Sequence, residues 1–164
     1  MTAPIDTISP PAVDAPDIVG SVVAYLGTVT QISTLMGMGH TARIRPGMVP
    51  RGSAADARKS AIVAQRLDMR RVRTLRGKRQ NLARSFVQVS VYAKTDQERT
   101  NLAHAVREAM RPERFHGQWL GLEIRDLSVE TDSDSFEDAN DGTDAPDWRA
   151  TFRFSIWHRN LTEV

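Results

Sequence analysis

The stretch SFVQVSVYAKTDQERTNLAHAVREAM, Ser85 to Met110, decides the fold. From Ser85 to Ala93, Val87, Val89, Val91 and Ala93 point one way, and Phe86, Gln88, Ser90 and Tyr92 the other. That period of two belongs to a β-strand. The period then changes. Leu102, Val106, Ala109 and Met110 make the apolar stripe of a helix from Asp96 to Met110. Thr95, with Glu98 three residues on, is a capping box at its start, and Pro112 limits its continuation. A helix of about 15 residues spans roughly 22 Å, enough to lie across four strands.

Upstream, SAIVAQRLDM is β-compatible, although its alternation is imperfect. With the basic connection RRVRTLRGKRQN and the strand from Ser85, it predicts a long basic hairpin. Downstream, RFHGQWLG reads as a turn with aromatic anchors, followed by a strand from Leu122 to Thr131. The acidic segment DSDSFEDANDGTDAPD, Asp132 to Asp147, reads as an exposed loop. From Trp148 to His158, Ala150, Phe152, Phe154 and Ile156 oppose Arg149, Thr151, Arg153, Ser155 and Trp157 in a closing strand.

Residues 1–13, rich in Pro, Ser and Thr, read as a flexible arm. Asp14, Pro16 and Asp17 then supply the start of a helix that buries Ile18, Val22, Tyr25 and Leu26, with Gly27 placed to end it. A second short helix, Thr30 to Met36, buries Ile32, Leu35 and Met36. Arg43 to Arg45 reads as a short strand, and Pro46 to Lys59 as a loop. The expected fold is α+β: a single domain over residues 14–164, with an antiparallel sheet of about four strands and helices packed on one face.

Composition narrows the function. The 164 residues include no Cys, which excludes disulfide frameworks, thiolate metal sites and cysteine nucleophiles. No apolar run reaches the roughly 20 residues of a membrane span, and the first residues lack a signal peptide's pattern. The expectation is a chain that is soluble, not exported and has no membrane partner. The net charge of +2 conceals sorting. Arg43 to Arg84 carries thirteen bases against Asp56 and Asp68, whereas Asp126 to Asp147 carries nine acids and no base. Isolated charge runs are usually solvated loops, but two opposite blocks point to steering or subunit pairing.

Catalytic patterns are missing. His40, His104, His116 and His158 form no ligand pair, and neither a GxSxG elbow nor a GxxxxGK[ST] loop occurs. Gly37, Gly39 and Ala42 imitate dinucleotide-loop spacing, but they follow a helix where that loop must follow a strand. An EF-hand register with Gly142 at position six puts Ala139 at position three, where a ligand is required. No enzyme activity, cofactor or metal is expected. The basic segment 43–84 offers an alternative function, a nucleic-acid-binding accessory module. Against it, no aromatic lies between Arg66 and Arg84 to stack a base.

The quoted stretch, a strand ending in VYA followed directly by a capped helix, resembles the tail terminator or tail completion (head-tail joining) proteins of long-tailed bacteriophages. VVAYLGTVTQISTLMG, ARIRPGMVP, AIVAQRLD with RTLRG in the turn, and WRATFRFSIWHR after an acidic loop agree with that family in order and spacing, over roughly Asp17 to Arg159. The N-terminal arm and the Arg51 to Lys59 loop depart from it. Related neck proteins and gene-transfer particles share this kind of module. The resemblance implies a virion structural protein of the tail or neck, assembled in the host cytoplasm. It implies a ring, usually a hexamer, that caps the tail tube, docks on the head-completion or connector protein and lets DNA pass without sequence-specific binding. The residues expected at subunit or partner contacts are Arg70, Arg71, Arg73, Arg76, Lys78 and Arg79 on the basic side, and Asp132, Asp134, Glu137, Asp138 and Asp141 on the acidic side.

Overall fold

The computed structural model describes residues 17–47, 60–73, 79–137 and 147–161. Helix α1, Ile18–Thr28, starts on Asp17, whose carboxylate accepts from the Val19 N–H at 3.2 Å. Asp14 and Pro16, expected to help start it, lie outside the described residues. Gly27 does not end the helix, which runs on to Thr28 before Val29 turns extended. Helix α2, Thr30–Met36, buries Ile32 and Met36 but leaves Leu35 44% exposed, contrary to the sequence expectation. Gly37, at φ 77°, closes it with a backbone conformation that side chains disfavour.

A short helix α3, His40–Arg43, leads into strand β1, Ile44–Pro46, so Arg43 is helical and the strand begins one residue later than expected. Arg43 is buried, and its guanidinium donates to the carbonyls of Met36, Ser60 and Met38. Its charge sits among backbone acceptors at the end of α2, where carbonyl dipoles favour a cation.

The remaining elements are β2, Ala61–Arg73; β3, Arg79–Ala93; α4, Asp96–Ala109; β4, Gly117–Trp119; β5, Leu122–Glu137; and β6, Asp147–Asn160. They form a six-stranded sheet in the order β1-β2-β3-β6-β5-β4. The pairs β2–β3, β3–β6, β6–β5 and β5–β4 are antiparallel, and β1 runs parallel to β2. The chain is mostly sheet, curled into a half-barrel and accompanied by few helices. The expected sheet of about four strands with helices packed on one face is therefore incorrect. β4 is legible in the sequence only as a turn, because its three residues are too few to display a period; the short strand expected at Arg43 to Arg45 is β1, set one residue later. The long strands were underestimated because charge runs at Arg70–Arg73 and Asp132–Glu137 look like loops, yet continue as strand.

Three single-residue bulges account for the imperfect alternation: β2 carries one extra residue at Arg66/Asp68, and β5 one each at Ile124/Asp126 and Val129/Thr131, whereas at Arg71/Arg73 the two extra residues lie on β3. Each extra residue reverses the faces that follow, bends the strand and increases its twist. Leu127 is thereby buried after Ile124, while Val129 is 48% exposed. One core joins sheet and helices: Ile62, Val87, Val89, Phe152, Phe154 and Ile156 meet Val22, Leu26, Leu102 and Val106.

Candidate interaction surface

Of the two charge blocks, the described parts on β2 and β5 lie on strands at opposite sides of the sheet. Arg70 and Arg71 are exposed on β2, while Asp132 is exposed on β5. Arg73 pairs with Arg79 in the β2–β3 ladder, and Asp134 and Glu137 extend β5 opposite Ala150 and Asp147. Arg76, Lys78, Asp138 and Asp141 lie outside the described residues. Since β3 and β6 stand between β2 and β5, the acidic and basic strands are three strand spacings apart, roughly 14 Å. Among the residues whose side chains are described, Arg70 and Arg71 do not meet Asp132 within one copy, and the two charge blocks touch where Arg84 on β3 pairs with Glu130 at 3.1 Å. Asp132 instead pairs with Arg107 of α4, and Arg70 with Asp68 at 3.2 Å. The Arg70 guanidinium bonding to Asp68, helped by the Met69 N–H, holds that carboxyl below its usual range.

A second feature emerges only when the strands pair. Phe86 on β3 has the guanidinium carbons of Arg84 and Arg153 each 4.8 Å from its ring centre, and that of Arg70 at 5.9 Å. Arg84 also stands 5.7 Å from the Trp157 ring, and Arg149 is 5.4 Å from Tyr92. Arg84 is fixed further by Ser155 Oγ at 2.6 Å and Glu130 at 3.1 Å. The arginine guanidiniums over Phe86, together with the Arg84 bond to Ser155 Oγ and the Arg149 bond to Ser90 Oγ at 3.3 Å, cover Phe86, Ser90 and Ser155 on the side of β3 and β6 opposite Val87, Phe152 and Phe154. The segment Arg66 to Arg84 itself holds no aromatic; Phe86 lies just beyond it on β3, and Trp157 comes from β6. The available signal was the alternation Arg84-Phe86 against Arg153-Ser155-Trp157.

One titratable pair is buried. Ser85 Oγ and His158 Nε2 are 2.8 Å apart across β3 and β6. Burial pushes the imidazole below its ordinary 6.5, Arg66 pushes in the same direction, and Asp17 opposes them. Ser85 has no exposed surface, so the pair gives a substrate no approach.

No family model and no curated protein sequence matches the chain. Its fold is similar to that of a chain in a solved structure described as the virion of a native gene transfer agent particle. That match has a TM-score of 0.57 and covers 85% of this chain and 94% of the other. Identity is 14%, so the likeness concerns the fold.

Proposed function

We propose that the chain is a structural subunit of a phage-like particle, forming a ring that caps the tail tube and joins it to the head connector. The observation that carries this reading is the fold shared with a gene transfer agent virion chain over nearly the full length of both. The charge sorting supports it physically, because a ring repeats one contact between unlike surfaces until it closes. The reading assigns the chain no catalysis. Its partners would be other copies of itself, six in the usual ring of this kind, with the tube protein on one side and the connector on the other. DNA would pass through the ring without being read.

Deleting the gene in a particle-producing strain tests the reading. Unjoined heads and tails, or tails of uncontrolled length, are expected; normal joined particles overturn it. The nucleic-acid-binding alternative has less support, because Arg70 and Arg84, the arginines of the basic segment nearest the aromatic rings, already have carboxylate partners in Asp68 and Glu130.

A further inference from the structure

Two long strands have an open edge. β1 covers β2 only from Ile62 to Ala64, where the Gly47 N–H adds a bond to the Ala64 carbonyl at 2.8 Å. β4 covers β5 only from Leu122 to Ile124. Beyond these points, among the described residues, no strand pairs with the outer side of β2 from Gln65 to Arg73, or of β5 from Arg125 to Glu137. Each edge is a row of backbone donors and acceptors able to template another strand. The two edges differ in sign. Along β2, Arg66, Arg70, Arg71 and Arg73 stand against Asp68; along β5, Asp126, Glu130, Asp132, Asp134 and Glu137 stand against Arg125.

We propose that the β5 edge of one copy pairs antiparallel with the β2 edge of the next, so that half-barrels join head to tail into one continuous sheet. Strand direction permits this. It alternates at every step through β2, β3, β6 and β5, so β5 runs opposite to β2, and a rotated second copy meets it antiparallel. Charges and bulges also protect the edges of proteins that never assemble, but edges of the same sign would protect equally well. Opposite signs add what head-to-tail pairing needs: attraction of β5 to β2, and repulsion of β2 from β2 and of β5 from β5. Closing the ring removes both edges from solvent, which an isolated half-barrel cannot do. The pairing rests on the ring reading in that the occupant of each edge is a second copy.

Hydrogen exchange of the full chain, followed from dilute to concentrated solution at low salt, tests the backbone pairing. Outward amides of 65–73 and 125–137 should lose their fast exchange together as the mass increases. Reciprocal charge reversal tests the partners. Arg70→Glu/Arg71→Glu/Arg73→Glu and Asp126→Lys/Asp134→Lys/Glu137→Lys should each lose self-association, and mixing the two should restore it, because each altered edge then meets its complement. If circular dichroism shows a triple variant unfolded, Arg71→Glu and Asp134→Lys replace the sets. Association with both edges still exchanging fast, no recovery on mixing, or a monomer at every concentration overturns the pairing. All three outcomes leave the ring reading to the gene-deletion phenotype, which stands or falls separately.

Discussion

Tyr25 ties three elements through one side chain. Its hydroxyl donates to the Ala109 carbonyl at 2.7 Å, occupying an acceptor at the end of α4. Its ring stacks on Phe115 at 4.6 Å and meets Trp119 edge-on at 5.1 Å. Burial raises the phenol's pKa, against the opposing charge of Arg114. Tyr25→Phe keeps the ring and orphans the carbonyl, so urea unfolding should show a loss of about 1 kcal/mol. His158 makes stability depend on pH. Its folded pKa lies below 6.5, so as pH falls through that value the unfolded chain takes up the proton first. Stability contributed by the neutral imidazole is present above pH 6.5 and declines below it until the folded pKa is passed, by at most about 1.4 kcal/mol per pH unit. Replacing His158 with Gln should flatten the decline in unfolding curves measured across that range; an unchanged slope means that another group carries it.

At the scale of elements, α4 and the β4–β5 turn make opposite predictions. Thr95 Oγ1 accepts from the Glu98 N–H at 3.2 Å, and Thr95→Ala should cost about 1 kcal/mol in thermal or urea unfolding, whereas Thr95→Ser should cost little. Leu120, between β4 and β5, is at φ 46° and 64% exposed, so its side chain contributes little packing to a left-handed turn. Leu120→Asn should stabilise the fold by about 1 kcal/mol, read in the same assay. Elements with unbroken periods were legible in the sequence. The Ser85–Ala93 alternation lies in β3, the Asp96 start lies at α4, and the Trp148–His158 alternation lies in β6. The rest of β5 was not, because bulges at Ile124/Asp126 and Val129/Thr131 interrupt its period and an acidic tail resembles a loop.

For the whole molecule, the decisive property is what the curled sheet leaves unpaired. If charged edges hold copies together, association should weaken as salt rises toward about 1 M, where screening shortens to roughly 3 Å; sedimentation across a salt series reads this directly. Reversing charge at Arg73, Arg76 and Lys78 should impair assembly while the circular dichroism of the monomer stays unchanged. Retained assembly would make those charges ordinary solvated ones.

The sequence by itself determined the local periods, the capped helix, the absence of thiol chemistry and the sorting of charge, because each depends on neighbours a few residues apart. Only the tertiary structure decided that the sheet has six strands and curls, since three-residue strands and bulged pairings are settled by partners far away in the chain. It likewise decided that Phe86 and Trp157 sit under arginines from three strands. Long-range pairing also put Arg66–Arg73 of the basic block and Asp126–Glu137 of the acidic block on strands β2 and β5, whose outer sides are unpaired among the described residues. In the sequence they were two charged stretches; in the fold they are two rows of backbone hydrogen-bonding groups with opposite charge.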